Sequence, residues 1–248
     1  MDHQGRFHEA ARALDIPEDE IRRFTGHLRL TIRLTGGSEP SPAGADLPLV
    51  LSVDCASLPR VDGFALPASG SLLFFLDHEN DHLAAATGSQ EYARVEHTLD
   101  AGAEQHTGAT LRAELPDWFD PDIEEEDLSL FEQQRAEDLH RDLPHLDELI
   151  ALADDLWPPD GRMAIAHLGG YVDDEVMTSI AEQTATDVPT ARWYSHVEKE
   201  KHRLASEWLT LARFPLPGGY YYGSFVIRHD DLAAGRLDRA YSVTTFSE

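Results

Sequence analysis

The chain reads as an α+β protein in which mixed, largely antiparallel β-sheets are flanked by N-terminal and central helices. Three observations predict this. Apolar residues recur at helical spacing between Phe7 and Phe24 and again between Glu124 and Leu156. Several other segments alternate, or run continuously apolar, over strand length. Those strands are mostly separated by turns rich in Gly, Pro and Asp, whereas a parallel sheet would need a helix after each one.

Taken in order, Phe7, Ala10, Ala11 and Leu14 share one helical face, and Ile21 and Phe24 continue the pattern beyond a break at Ile16-Pro17. In HLRLTIRLTGG the residues Leu28, Leu30, Ile32 and Leu34 alternate, predicting a half-buried strand that ends at Gly36-Gly37. LVLSVDC and SLLFFLD are apolar strands around the turn-rich CASLPRVDGFALPASG, and EYARVEHTL is a third strand of the same region. Helical character returns from Glu124 to Leu156, with Pro144 dividing it because proline has no amide proton to donate. MAIAHLGGY follows, and Asp173 to Leu204 is largely helical or irregular. WLTLARF and YYYGSFVIRH are strands, and DDLAAGRLDRAYSVTTF closes with a helical turn and a last strand. LVLSVD with GSLLFFLDHEND is weakly echoed by WLTLARF with GSFVIRHDDL, a strand-turn-strand repeat. Residues 1–248 are expected to form a single domain.

Charge excludes several functions. Against 46 acidic side chains stand 20 basic ones, a formal charge of -26, and lysine occurs only at Lys199 and Lys201. Such a field repels phosphate backbones and anionic lipid heads, so neither nucleic acid nor membrane is expected as a partner. The acids either form a solvated surface suited to a salty or arginine-favouring cytoplasm, or steer a basic protein partner. No apolar run approaches the roughly 18 residues of a membrane span, and the N-terminus lacks a signal peptide's apolar middle, so the expected compartment is the cytoplasm. Cys55, the single cysteine, permits neither an internal disulfide nor a cysteine zinc site. No cofactor is expected.

The candidate chemistry is sparse. His78-Glu79-Asn80-Asp81-His82 matches the pattern in which two histidines one helical turn apart hold zinc and a glutamate activates water. It directly follows the apolar strand SLLFFLD, however, which places His78, Glu79 and His82 at a strand tip in a turn. Asp230-Asp231 reads as an N-cap for LAAG, with Gly235 as the left-handed exit, and Asp54 before CASL reads as a cap too. The run Glu124, Glu125, Glu126 with Trp118 and Phe119 is a candidate partner-binding tip, or else two aromatics pinning a loop whose acids complement a helix dipole. His167, Gly169, Gly170 and Tyr171 form a candidate pocket, where the glycines allow close backbone approach and His167 titrates, or a plain tight turn. Gly218 to Ser224 lacks the lysine of a phosphate loop, and no G-x-S-x-G elbow is present.

The N-terminal helix leading into HLRLTIRL, then LPLVLSVDCASLP, LPASGSLLFFLD, ARVEHT, HLGGY, EWLTLARF and GSFVIRHDDLAAGRLDRAYSV resemble, in that order, the YwqG-like family, a bacterial family of unknown function. The resemblance implies an α+β fold with mixed β-sheets and no established reaction. Some members look like immunity proteins encoded beside polymorphic toxins. Where that family usually has glutamine, this chain carries Ser52 and Ala212 or Arg213, and it lacks the usual proline-tryptophan pair before the first of these. The expected function is binding, foremost of a basic protein in the manner of an immunity protein. The alternatives are a metal-dependent hydrolase using His78, Glu79 and His82, and small-molecule binding near His167 and Tyr171.

Overall fold

The computed structural model describes residues 3–36, 47–81, 91–99, 108–119, 128, 130–158, 164–184 and 189–246. The architecture is α+β, with seven helices and two antiparallel sheets among the described residues. The chain divides into two compact units, Met1–Thr31 with Leu111–Gly161, and Ile32–Thr110 with Arg162–Glu248.

The first unit is helical: α1 (His3–Ala13), α2 (Glu18–Thr25), α3 (Leu130–Asp142) and α4 (Leu146–Leu156). Asp15 takes a left-handed φ of 59° between α1 and α2, and Glu18, Asp19 and Glu20 in the first turn of α2 complement its dipole. The break between α3 and α4 falls at Pro144, as its missing amide requires. The core is aromatic. Phe7 stacks on Phe24 at 5.4 Å and on Trp157 at 6.2 Å, and Phe119 meets Phe24 edge-on at 6.3 Å. Glu20 is buried, and it accepts the His145 backbone amide at 3.1 Å just ahead of α4.

The strands belong to the second unit, except that Arg29–Thr31 and Leu111–Glu114 fall in the first. The strands are β1 (Arg29–Thr35), β2 (Leu49–Asp54), β3 (Ser71–Leu76), β4 (Ala93–Thr98), β5 (Gly108–Glu114), β6 (Ala164–Leu168), β7 (Trp208–Pro215), β8 (Tyr221–Arg228) and β9 (Tyr241–Phe246). They form a six-stranded sheet in the order β5-β1-β6-β7-β8-β9 and a three-stranded sheet in the order β2-β3-β4. Helices α5 (Asp174–Thr184) and α6 (Thr190–Leu204) pack Val176, Met177, Ile180 and Val197 with Val226 of β8, and α7 (His229–Ala233) follows β8. Inside the unit the two sheets meet through Phe74, which lies 5.3 Å from Phe225 and 6.5 Å from Phe214.

The echo between the two hairpins has a structural counterpart. Leu51 pairs with Phe74 and Ala212 with Phe225, each immediately after one extra, bulged residue: Val50 in β2 and Leu211 in β7. Counted from the bulge, Phe74 and Phe225 are equivalent, and they are the pair that touch. Matching GSLLFF to GSFVIR in sequence sets Leu72 against Phe225 instead. That two-residue slip keeps the same face of the strand, so alternation alone cannot detect it.

Other expectations shift. Thr31 and Thr35 are buried along with Ile32 and Leu34, so β1 is covered on both faces rather than half-buried. The N-cap of α7 is Arg228 and not an aspartate; Asp230 and Asp231 stand in the first turn, while Gly235 does supply the left-handed exit at φ 68°. Asp54 caps as expected, its Oδ1 accepting the Ala56 amide at 3.0 Å.

Candidate functional site

The turn after β6 is fastened at several points. Gly169 and Gly170 adopt φ of 81° and 88°, a left-handed pair that only glycine takes without strain. The Gly169 amide then donates to the Thr210 carbonyl at 3.0 Å, and the Thr210 hydroxyl donates to the Tyr171 carbonyl at 2.6 Å. Asp173 closes the turn with both oxygens: Oδ1 accepts the Glu175 amide at the start of α5, and Oδ2 pairs with Arg213 Nη1 at 2.9 Å.

This clamp sets His167 in a row. Arg33 of β1 pairs with His167, His167 with Arg213, and Arg213 with Ser224 of β8. Residues directly opposite one another share a face, so two guanidiniums flank an imidazole, with a hydroxyl next in line. The Arg213 guanidinium also lies 4.9 Å from the centre of the Tyr222 ring. Ser224 is 2% exposed. Its Oγ and the Arg213 Nε are both buried without a hydrogen-bond partner among the described residues. Two orphan polar atoms on neighbouring strands are costly, because each has left water without replacement. His167 and Ser224 are two strands apart, about 9–10 Å between Cα atoms, beyond hydrogen-bond reach as a base and nucleophile. Arg213 Nε and Ser224 Oγ together present hydrogen-bond donors that an oxyanion can accept from.

The remaining candidates lie elsewhere. Phe119 is 4% exposed and Trp118 is half-buried against it, at 4.6 Å, with His27 edge-on to Trp118 at 5.3 Å and Arg135 over the ring at 5.6 Å. These two aromatics therefore anchor the core of the first unit instead of standing exposed at a tip. Burial, then the Arg135 charge, holds the His27 pKa below the ordinary imidazole range. Glu124, Glu125 and Glu126 lie outside the described residues. His78, Glu79 and Asn80 form a turn after β3, closed by the Asn80 amide on the Asp77 carbonyl at 3.1 Å. Asp81 accepts the Thr244 hydroxyl at 2.6 Å, and His82 lies outside the described residues. Among the described residues no group of three or more His, Cys, Asp or Glu side chains is placed to hold a metal ion. None of their helices is long and apolar enough to cross a membrane.

In the sequence His167 and its glycines stand out as a candidate pocket, whereas nothing marks Arg33, Arg213 and Ser224 as their companions. The available signal was a polar residue interrupting each apolar strand, in TIRLT, IAHL, LARF and GSFV.

The fold is a two-sheet α+β core with a fastened polar row on its larger sheet. A family model described as a domain of unknown function, DUF1963, matches residues 38–244, and the chain belongs to that family. Among curated proteins none matches it.

Proposed function

We propose that the protein is a YwqG-like binding protein whose larger sheet receives a small carboxylate-bearing ligand on Arg33, His167, Arg213 and Ser224. The observation that carries this reading is the pair of buried orphan atoms, Arg213 Nε and Ser224 Oγ, side by side on β7 and β8. A carboxylate accepts from a guanidinium and a hydroxyl together, and Arg213, whose Nη1 is held by Asp173, keeps its Nε to offer. The test is calorimetric titration with a panel of small mono- and dicarboxylates beside their amides. The expected result is saturable binding of at least one acid, with its amide at least about tenfold weaker. Ser224→Ala and Arg213→Gln should each weaken that binding. Acids and amides that bind alike, or variants that bind like the parent, would sink the reading.

The net charge of -26 favours a second reading, a basic protein partner met in the manner of an immunity protein. It calls for fast association at low salt that weakens steeply as salt is raised. Capture experiments at low and moderate salt separate it from the first reading, since Ser224→Ala leaves this interaction unchanged.

A further inference from the structure

The second unit also holds a concentration of positive charge remote from the His167 row. Trp208 and Arg228 sit opposite each other on β7 and β8, and Asp231, Arg236 and Arg239 come from α7 and the turn after it. Together they line an open pocket of about 510 Å³. From Ser224 to Arg228 is four residues along β8, about 13 Å, so the two places are separate. Three arginines around one concavity run against a composition of 46 acids and 20 bases.

The pairing inside the pocket leaves charge over. Asp231 Oδ1 is taken by Arg236 Nη2 at 2.7 Å. Arg239 meets Asp238 only at 3.9 Å, with both side chains largely exposed. The Arg228 guanidinium lies over the Trp208 ring, 5.4 Å from its centre. Within the lining, one carboxylate faces three guanidiniums, and Asp238 beside Arg239 offsets part of the excess, which leaves between one and two positive charges for an anion. The indole Nε1 of Trp208 is buried with no hydrogen-bond partner among the described residues.

We propose that this pocket binds a small phosphomonoester whose body packs beside Trp208. Planar guanidinium forks suit the oxygens of a phosphate, and the charge of a phosphomonoester near neutral pH, between one and two, matches that excess. The volume exceeds what a bare phosphate needs, which leaves room for an attached ring, and the indole gives that ring an apolar plate. Asp231 acts as a positioning residue, holding Arg236 across the end of α7.

The test is titration of the full chain at low salt with adenosine monophosphate, inorganic phosphate and adenosine, followed by calorimetry and tryptophan fluorescence. Adenosine monophosphate should bind saturably and change the fluorescence, inorganic phosphate should compete with it, and adenosine should bind at least about tenfold more weakly. Arg228→Gln and Arg239→Gln should each weaken adenosine monophosphate about tenfold, and Trp208→Phe should remove the fluorescence change. Arg239 is largely exposed, so its variant keeps the fold and decides the matter if Arg228→Gln does not fold. Ser224→Ala should leave this binding intact, which separates it from the carboxylate site. No saturable binding of phosphate or adenosine monophosphate up to about 10 mM, equal binding of adenosine, or indifference to Arg239→Gln would each overturn the proposal.

Discussion

Gly223→Ala asks how tightly the two sheets of the second unit are packed. A methyl group on Gly223 would stand 2.8 Å from Phe214 Cε2 and 2.9 Å from Leu76 Cδ2, one contact from each sheet. Phe214 is 2% exposed and Leu76 fully buried, and Phe214 lies 6.2 Å from Phe225, so neither neighbour has free space to move into. The backbone here has no positive φ, so alanine meets no conformational penalty and regains about 0.4–1 kcal/mol by restricting the unfolded chain. Overpacking costs about 1–3 kcal/mol, which leaves a net loss of about 1 kcal/mol at the middle of both ranges and at most about 2.6 kcal/mol. For a chain of this size that lowers Tm by about 2–8 °C, read by calorimetry or circular dichroism. Leu76→Val withdraws one of the two obstructing groups. In the double variant the two losses should therefore be less than additive, with a coupling of at least about 0.5 kcal/mol. An unchanged or higher Tm for Gly223→Ala, or strict additivity with Leu76→Val, would show that the sheets do not close on this residue.

Ser224→Ala removes a buried hydroxyl with no partner among the described residues, so it should raise Tm by a few degrees, about 1 kcal/mol, even though it removes a proposed ligand contact; a drop of similar size in a thermal melt would contradict the packing. His27 binds fewer protons when folded, because burial, then the charge of Arg135, lowers its pKa from 6.5. Stability should therefore fall as pH drops below about 7 toward 5, and His27→Gln should flatten part of that slope in melts across the range. The Cys55 thiol is 1% exposed and its pKa is pushed up by burial and then by the Asp54 carboxylate, so a thiol reagent at pH 8 should label it only after denaturant is added. Raising sodium chloride from low to about 0.1 M, where the Debye length is about 10 Å, should raise Tm by screening repulsion within a chain of charge -26.

Local patterns made most of the fold legible in the sequence. Pro144 marked the gap between α3 and α4, and the apolar runs of β2, β3, β7 and β8 stood out because strands between two packed layers carry little polar residue. β5 was missed: GATLRAE has low strand propensity, and it forms only because β1 offers an edge to pair with. Gly108 is needed there since a methyl group would meet Thr35 Oγ1 at 2.9 Å, a fact about register and not about sequence. The polar row was harder still. Arg33, His167, Arg213 and Ser224 are scattered along the chain, and only the pairing of four strands sets them abreast. The arginine pocket divides the same way. Arg236 and Arg239 are local to one turn, but Trp208 joins them only through the β7–β8 register.

The bulge-matched hairpins have a consequence for how the chain is made. β2, β3 and β4 leave the ribosome roughly 110 residues before β7 begins, an interval of about 5–20 s at ordinary rates of synthesis. During that time Phe74 and Leu76 lack Phe225, Phe214 and Gly223, the surface they are shaped to meet. The first meander must wait with an apolar face uncovered and an open strand edge, the state most exposed to pairing with another nascent chain. Because Phe74 and Phe225 occupy equivalent places, the nearest wrong partner is a second copy of the same meander, in which Phe74 would take the place that Phe225 is meant to fill.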